Sequence, residues 1–327
     1  MHILIIGAAG MVGRKLTAAL LAEGQLDGKP LSALTLADIV APAQPTTELA
    51  CQCLAADLSQ PGTAEKLVAG RPDIIFHLAA IVSGEAEADF DKGYAINLDG
   101  TCYLLEAIRQ AGRVEPYCPR LVFTSSIAVF GEPLPAAIPD DFALTPLTSY
   151  GTQKAIGELL LADYSRRGFI DGIGIRLPTI VVRPGKPNKA ASGFFSGIIR
   201  EPLVGAEAVL PVEDSVRHWF ASPRAAVGFL RHAATIDTAK LGQRRSLSMP
   251  GLAATVADEI AALERVAGAK ATRLIRREPD AAIAAMVAGW PQAFEASRAR
   301  ALGFTADKDF DAIVRAHIED ELGGAIA

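Results

Sequence analysis

Residues 3–13 read Ile3-Leu4-Ile5-Ile6-Gly7-Ala8-Ala9-Gly10-Met11-Val12-Gly13, and this stretch decides how the chain folds. Four apolar residues lead into a glycine-spaced turn, and an apolar, helix-compatible segment follows from Arg14 to Ala22. That order predicts a buried parallel strand, a tight loop and the start of a helix. The N–H groups and the partial positive charge of such a helix start, here at Met11 and Val12, are suited to a diphosphate.

The three glycines have distinct expected roles in this turn. Gly7 lets the chain turn sharply, Gly10 lets backbone N–H groups approach a diphosphate, and Gly13 lets the helix pack close to the strand. Their spacing is G-x-x-G-x-x-G, which differs from the dehydrogenase pattern G-x-G-x-x-G. Taken alone, the pattern is also compatible with an ordinary turn, so its meaning depends on the rest of the chain.

Composition and charge narrow the classes of function. The 32 Lys+Arg and 37 Asp+Glu residues give a net charge of −5, which gives no support for a nucleic-acid or anionic-membrane partner. No charge-free apolar run approaches the roughly 18–20 residues that span a bilayer. The 4 cysteines lack C-x-x-C spacing, so we expect no metal site, no disulfide framework and a cytoplasmic location.

Acidic residues follow two of the predicted strands. Leu31 to Leu36 is the second predicted strand, and Asp38 comes just after it. A carboxylate there accepts hydrogen bonds from the adenosine ribose and repels a 2′-phosphate, which favours NAD over NADP. A solvated aspartate at a strand end is the alternative. Ala50 to Ala56 is the third predicted strand, and Asp57-Leu58 follows it.

The fourth predicted strand starts at Ile74 and runs into His77-Leu78-Ala79-Ala80. Small residues at this strand end would let a dinucleotide pass closely over it. His77 is better explained as a packed core residue than as a catalyst. The segment Ile81 to Asp91 follows this strand end and carries Ser83, which makes it a candidate substrate loop. Its acidic residues are expected to form a solvated face.

A serine pair and a tyrosine–lysine pair come later in the chain. Arg120 to Phe130 is the fifth predicted strand and contains Ser125 and Ser126. Tyr150 and Lys154 lie in a predicted helix that runs from residue 149 to residue 164. Because they are four residues apart, their side chains leave the same face of that helix.

Together, the glycine-rich turn, the acidic strand end, the serine pair and the Y-x-x-x-K pair resemble the extended branch of the short-chain dehydrogenases/reductases. The resemblance covers nearly the whole chain. It implies an α/β fold, with a Rossmann-type doubly wound parallel sheet and a smaller interleaved C-terminal α/β substrate lobe. Residues 1–182 would form the NAD-binding domain and residues 183–327 mostly the substrate lobe, with segments returning to the first domain. A homodimer through the helices around residues 97–110 and 150–164 is also implied.

The resemblance further implies roles for individual residues. Ser126 matches the family's catalytic serine, and Asn97 matches an asparagine that holds a water and the catalytic lysine. Asp57 and Leu58 match a pair that meets the adenine, and Pro178 matches a proline beside the nicotinamide. The predicted cofactor site comprises Gly7, Gly10, Met11, Val12, Gly13, Asp38, Asp57, Leu58, Leu78, Ala79, Ala80, Asn97, Ser125, Tyr150, Lys154 and Pro178.

The serine, tyrosine and lysine suit the removal of hydride from a carbinol, because the hydroxyl proton must leave at the same time. Free tyrosine titrates near pH 10, and lowering its pKa to about 7 takes about 4 kcal/mol of differential stabilisation. A close lysine ammonium and an oxidised nicotinamide can supply it. Tyr150 is therefore the predicted general base, Lys154 its electrostatic partner and a donor to the nicotinamide ribose, and Ser126 the holder of the substrate oxygen. NAD would accept the hydride.

The stretch over residues 176–203 resembles the D-erythronate dehydrogenases of the same family, which oxidise the C2 hydroxyl of a four-carbon sugar acid with NAD. A small anionic sugar acid needs cations that bind its carboxylate. The candidate cations are Arg183, Lys186 and Arg217. The remaining candidate substrate contacts are Ser83, Ser126, Tyr150, Thr179 and Ser192.

Three alternatives remain open at this point. An L-threonine 3-dehydrogenase of the extended type shares the Ser-Tyr-Lys plan and a small carboxylate substrate. A nucleotide-sugar epimerase would carry its arginine in an Arg-Asp-x-x-His-Val pattern, which the sequence around Arg217 lacks. A non-catalytic NAD-sensing protein commonly loses the tyrosine or the lysine, and both are present here.

Overall fold

The computed structural model describes residues 1–185 and 192–327, so the candidate Lys186 lies outside the described residues. The strands are β1 (His2–Ile6), β2 (Gln25–Leu26), β3 (Lys29–Pro30), β4 (Ala33–Asp38), β5 (Ala50–Ala55), β6 (Ile74–His77), β7 (Arg120–Ser126), β8 (Asp171–Leu177), β9 (Thr179–Ile180), β10 (Ala208–Leu210), β11 (Arg217–Ala221), β12 (Ser246–Ser248), β13 (Leu252–Thr255) and β14 (Ile275–Arg277).

The helices are α1 (Met11–Glu23), α2 (Thr63–Val68), α3 (Ser83–Ala88), α4 (Phe90–Gly93), α5 (Gly100–Val114), α6 (Ser149–Arg166), α7 (Gly193–Leu203), α8 (Pro223–Thr235), α9 (Val256–Ala267), α10 (Ala269–Thr272), α11 (Ala281–Ala288), α12 (Ser297–Ala301) and α13 (Phe310–Glu321). Among the residues with a described structure, no helix combines the length and the apolar character needed to cross a membrane.

The described residues form a seven-stranded sheet with the order β12-β8-β7-β6-β1-β4-β5. β1 pairs in parallel with β4 and with β6, and the neighbouring pairs β4–β5 and β6–β7 are also parallel. Apart from the added β12, this is the strand order of dinucleotide-binding folds, in which the connections reverse direction on either side of β1. The predicted Rossmann-type fold is confirmed.

The fifth predicted strand is shorter than the sequence indicated. β7 ends at Ser126, and a 3-10 turn covers Ile127–Val129, so the predicted continuation of the strand to Phe130 is wrong. The Ser126 hydroxyl oxygen accepts a hydrogen bond from the Ala128 backbone N–H at 3.1 Å. This side-chain contact closes a turn where the β-branched sequence alone predicted more strand.

The sixth predicted strand, Gly172 to Val182, is two strands in different sheets. β8 ends at Leu177 in the seven-stranded sheet, and β9 belongs to a separate sheet with the order β13-β11-β9. Pro178 lies between them and has no N–H with which to extend the ladder of β8. The apolar run therefore changes sheets at the proline.

The chain divides into two compact units, each built from several segments. The first unit comprises Met1–Val129, Thr148–Arg176 and Val227–Leu247, and the second comprises Phe130–Leu147, Leu177–Ala226 and Ser248–Ala327. The C-terminal part thus returns once to the first unit, which is an interleaved arrangement. Residues 130–147 and 177–182 group with the second unit, whereas the sequence analysis assigned them to the first domain.

The second unit has its own apolar core between helices and short strands. Buried aromatic residues of this core include Phe195, Phe220 and Phe310. β11 pairs antiparallel with β13 and parallel with β9, while β10 pairs with β14.

Helix α6 lies directly on the sheet of the first unit because Gly157 has no side chain. A Cβ atom added at Gly157 would lie 2.7 Å from Cζ of Phe123, a buried residue of β7. The aromatic ring thus fills the position where any other residue of the helix would place its Cβ. This close approach sets the distance between the sheet and α6, the helix that carries Tyr150 and Lys154.

Gly157→Ala is expected to lower the free energy of unfolding by about 1–3 kcal/mol, because the added methyl group meets the buried Phe123 ring. Gly228→Ala is the matched control. Gly228 also lies in a helix, α8, but no heavy atom lies within 4 Å of its added Cβ. Helix propensity should therefore stabilise this control by up to about 1 kcal/mol. Urea unfolding compares the two variants, and stabilisation by both would contradict the tight contact at Gly157.

Candidate active site

Two glycines of the turn after β1 sit where no side chain fits. Gly7 has φ +94°, and an added Cβ would lie 2.7 Å from the Ala79 backbone nitrogen. A Cβ added at Gly13 would lie 2.2 Å from the Gly7 carbonyl oxygen. Only glycine at positions 7 and 13 lets the start of α1 and the chain after β6 approach the turn this closely.

The remaining glycine of the turn, Gly10, lies at the surface of the protein. Gly10 is exposed, and an added Cβ would meet only the Gly7 carbonyl oxygen, at 3.3 Å. It is the N-cap of α1, and no side chain caps this helix start. The N–H groups of the first turn, at Met11 and Val12, have no intrahelical acceptor, and the positive end of the helix dipole lies there. This cradle fits the diphosphate of NAD.

Asp38 is fixed at the edge of the glycine turn. One carboxylate oxygen accepts a hydrogen bond from the Ala9 N–H at 2.9 Å, and the other accepts from the Ile39 N–H at 2.8 Å. The preceding carbonyl, of Ala37, accepts from the Gly7 N–H at 2.8 Å. The carboxylate is thus held next to the cradle by the turn itself, with lone pairs that a ribose hydroxyl can use.

The other predicted cofactor contacts at strand ends lie in the same unit. Asp57 accepts hydrogen bonds from the Ser59 N–H at 3.0 Å and the Ser59 hydroxyl at 2.6 Å, so its carboxylate is fixed by a local turn. Leu58 is buried. Leu78 and Ala79 both donate their N–H groups to the carbonyl at the end of β1, at 2.8 and 3.0 Å, and Ala80 is half-buried. Their contacts with a cofactor stay predictions.

Tyr150 and Lys154 come together on one face of α6. The Thr148 hydroxyl caps the start of the helix by accepting the Gly151 N–H at 3.0 Å, and Tyr150 follows in the first turn, half-buried. Lys154 Nζ lies 5.7 Å from the centroid of the Tyr150 ring and 5.0 Å from that of Phe123. The lysine ammonium therefore lies against two aromatic rings, one of which carries the candidate phenol.

Burial lowers the pKa of Lys154 to about 8, because the charged form loses its hydration. Only 2% of the residue is exposed, and within residues 1–185 and 192–327 no carboxylate forms an ion pair with it. At pH 7 the ammonium is still mostly protonated. It is a desolvated cation whose surroundings favour a new negative charge nearby.

His77 is a neutral core residue beside this lysine. Burial and, to a smaller extent, the charge of Lys154 lower its pKa to about 3. Its Nε2 shares a hydrogen bond with the Thr101 hydroxyl at 2.9 Å. These contacts agree with the expectation that His77 is packed rather than catalytic.

Asn97 ties two parts of the site together. It is buried in a π-helical turn, Tyr94–Asp99, a geometry that is common at functional sites. Its side-chain oxygen accepts from the Ile81 N–H at 2.9 Å, and its amide donates to Gln153 Oε1 at 2.8 Å. Gln153 directly precedes Lys154 in α6. The described side-chain contacts of Asn97 are with Ile81 and Gln153, and the predicted water-mediated contact with Lys154 stays a prediction.

A buried polar network behind the site was not anticipated from the sequence. The Ser125 hydroxyl donates to Glu158 at 2.5 Å, and Glu158 forms a buried salt bridge with Arg176 at 2.7 Å. Ser125 was predicted to contact the cofactor, and this contact stays a prediction beside the hydrogen bond of its hydroxyl to Glu158. The one available signal was spacing, since Glu158 lies four residues beyond Lys154 on the same helix face.

The predicted substrate loop over residues 81–91 is largely helical, because α3 begins at Ser83. The acidic residues of this segment have structural partners. Glu85 forms a salt bridge with Lys92 at 2.5 Å, and Glu87 accepts from the Ser149 N–H at 2.9 Å, next to the start of α6. The expectation of a loop is therefore corrected to two short helices, while Ser83 is half-buried and its substrate contact stays a prediction.

The second unit holds Pro178 and other predicted ligand contacts. Pro178 is buried between β8 and β9. The Thr179 hydroxyl lies 2.7 Å from Nε2 of His218, a residue that the sequence analysis did not single out. Arg183 Nη2 lies 3.5 Å from the Ser192 hydroxyl, so these two candidates are neighbours.

Arg217 differs from Arg183 in its surroundings. Its side chain is exposed, and its only described hydrogen bond goes to the Ala253 carbonyl at 3.3 Å. Arg183, by contrast, is half-buried, and its Nε donates to the Ile180 carbonyl at 3.0 Å. A guanidinium held in this way is better prepared for a small anion than one on the surface.

Lys154→Met is expected to raise the free energy of unfolding at pH 7 by up to about 3 kcal/mol, because methionine fills the site without a buried charge. Burial lowers the folded-state pKa of the lysine below its unfolded value. The energetic cost is therefore present below about pH 8 and disappears as pH rises towards the unfolded pKa. Unfolding measured across this range should show the two proteins converging at high pH.

Lys66→Met, at an exposed position of α2, is the control and should change stability little at any pH. A Lys154→Met effect that is independent of pH would contradict the lowered pKa.

Comparison with known proteins identifies the family of this chain. The model of the NAD dependent epimerase/dehydratase family matches residues 3–241. A D-erythronate dehydrogenase of Cupriavidus necator is 49% identical over 324 residues, which cover 98% of both chains. A second D-erythronate dehydrogenase, from Haemophilus influenzae, is 41% identical over 322 residues, 98% of this chain and 100% of its own.

A solved structure, described as the nucleoside-diphosphate-sugar epimerase from Agrobacterium tumefaciens, is 68% identical, with a TM-score of 0.98 over 100% of this chain and 96% of that chain. The family match identifies NAD as the cofactor, as the sequence predicted. The chain belongs to the NAD-dependent epimerase/dehydratase family, within the extended short-chain dehydrogenases/reductases.

Proposed function

We propose that this NAD-dependent dehydrogenase oxidises the C2 hydroxyl of D-erythronate, a four-carbon sugar acid, to the 2-oxo acid. The proposed substrate rests on the relatives from C. necator and H. influenzae, because both are D-erythronate dehydrogenases that align with nearly the whole chain. The phenol of Tyr150 beside the buried ammonium of Lys154 supports the type of reaction.

The residues of the first unit would handle the proton of the substrate hydroxyl. Tyr150, as phenolate, accepts that proton and acts as general base. Ser126 donates a hydrogen bond to the substrate oxygen, while its own oxygen accepts the Ala128 N–H. Bound oxidised nicotinamide supplies the hydride acceptor.

Lys154 would make the phenolate accessible near neutral pH. A charge acts on its neighbour more strongly in dry surroundings than in water, so the burial of the ammonium strengthens its effect on Tyr150. The same burial leaves the ammonium without a carboxylate partner among the described residues. Loss of the Tyr150 proton therefore supplies the counter-ion that the lysine otherwise lacks. Asn97 would act indirectly, by fixing α6 through Gln153.

Arg183 is the proposed partner of the substrate carboxylate. Its Nε–H···Ile180 hydrogen bond fixes the guanidinium plane, and the Ser192 hydroxyl lies close to Nη2. Guanidinium groups bind carboxylates through paired hydrogen bonds, which suits a small acid. Arg217 and Lys186 remain candidates, and Ser83 and Thr179 are proposed contacts of the substrate hydroxyls.

Nucleotide-sugar epimerisation is the second candidate, favoured by the description of the A. tumefaciens structure. An exposed Arg217 in the sequence Arg217-His218-Trp219-Phe220-Ala221 argues against it, because that sequence departs from the pattern of nucleotide-sugar enzymes. Oxidation of L-threonine would use the same general base and a small carboxylate. Homodimerisation through the helices around residues 97–110 and 150–164, and a cytoplasmic location, stay predictions from the resemblance.

A substrate panel tests the proposal directly. NADH formation is measured with D-erythronate, threonate and L-threonine, and conversion of UDP-sugars is followed in parallel. D-erythronate is expected to give the highest kcat/KM. Oxidation of L-threonine alone, or turnover of UDP-sugars alone, would contradict the sugar-acid assignment.

Tyr150→Phe is the matched variant for the mechanism in this panel. It removes the phenol and keeps the ring beside Lys154, so turnover should fall by at least about 100-fold. NAD binding, measured by calorimetry, should persist. Near-wild-type turnover by the variant would remove Tyr150 from the mechanism.

A further inference from the structure

His218 is buried among aromatic rings in the second unit and makes one described side-chain hydrogen bond, to Thr179. Phe195 stacks on the imidazole with ring centroids 5.4 Å apart and an angle of 4°. Phe220 and Trp290 close two other sides, at 5.4 and 5.3 Å. The ring is 2% exposed, and it cannot turn without displacing these neighbours.

Thr179 lies next to this ring on a neighbouring strand. β9 runs parallel to β11 with Thr179 opposite Phe220, so its side chain lies on the same face as His218. Its hydroxyl oxygen is 2.7 Å from Nε2 of the histidine. Thr179 is half-buried, whereas His218 is buried, so Thr179 is the member of the pair with surface that a ligand can contact.

The direction of this hydrogen bond follows from the state of the ring. Burial lowers the pKa of His218 to about 4, so the ring is neutral at physiological pH, with one N–H and one bare nitrogen. A distance of 2.7 Å is typical of an O–H donor and shorter than most N–H···O contacts.

The Pro291 backbone opposes part of the pKa shift, as a carbonyl near a ring N–H does, although Nδ1 completes no hydrogen bond in the described chain. We therefore assign the ring proton to Nδ1. The Thr179 hydroxyl then donates to Nε2.

We propose that His218 is a positioning residue that makes Thr179 an acceptor-only contact for a substrate hydroxyl other than the one that is oxidised. The inference rests on the proposed function, because it requires a polyhydroxy acid as substrate. A threonine hydroxyl normally rotates and serves as donor or acceptor. With its proton committed to His218, its oxygen can accept a hydrogen bond from a hydroxyl but offers nothing to a carboxylate or ketone oxygen. The pair would thus select hydroxylated acids over deoxy acids.

The test compares D-erythronate with D-2-hydroxybutyrate, which lacks the hydroxyls at C3 and C4, and uses the ratio of the two kcat/KM values. His218→Phe keeps an aromatic ring and removes the acceptor, and Thr179→Val keeps the shape and removes the hydroxyl. Each is expected to lower the ratio by about 3- to 10-fold, mainly through KM for D-erythronate. The double variant should be no worse than Thr179→Val alone, because both changes remove one interaction.

His218→Gln supplies a side-chain acceptor and is expected to retain more of the ratio than His218→Phe. It also keeps the test available if the phenylalanine variant does not fold. A merely structural role of His218 would lower kcat/KM for both acids equally. An unchanged ratio, or effects that multiply in the double variant, with D-erythronate still oxidised by the wild type, would overturn this inference alone. Failure of the wild type to oxidise D-erythronate would overturn the proposed function and this inference with it.

Discussion

The buried ammonium of Lys154 is the feature on which the site depends. Its hydration is replaced by the faces of two aromatic rings, Phe123 and Tyr150, and burial lowers its pKa to about 8. A cation in this position is costly for folding. In the proposed mechanism this cost is offset in function, because a negative charge develops on the neighbouring phenol.

The scaffold around Lys154 keeps α6 in one position on the sheet. Gly157 lets the helix approach Phe123, and one turn beyond Lys154 the same helix carries Glu158, which is held by Ser125 and Arg176. A buried ion pair of this kind contributes little net stability, because both charges lose their hydration. Its geometric effect is to connect the ends of β7 and β8 to α6.

Much of the first unit could be predicted from the sequence because its signals are local. The apolar run into Gly7, the acidic end of β4 and the i, i+4 spacing of Tyr150 and Lys154 each depend on neighbours in the chain. The same holds for the strand order, since alternating strands and helices leave few topologies for a parallel sheet.

The features that the sequence did not predict depend on residues that are distant in the chain or on local side-chain contacts. Residues 120–130 are rich in apolar and β-branched side chains, yet the strand ends at Ser126, whose hydroxyl accepts the Ala128 N–H in a turn. The hydrogen bond from Ser125 to Glu158 was likewise not predicted, because Glu158 lies 33 residues further along the chain. His218 carried no sequence signal, because its role comes from Thr179, 39 residues away in the chain.

The most direct test of the account is the pH dependence of kcat/KM for D-erythronate at saturating NAD, measured for the wild type and for Lys154→Met. Because the general base must be deprotonated, the wild-type value should rise with pH through a pKa near neutrality. Without the ammonium, this rise should move at least about one pH unit towards the value of free tyrosine. A rise at the same pH in both proteins would contradict the claim that Lys154 sets the acidity of Tyr150.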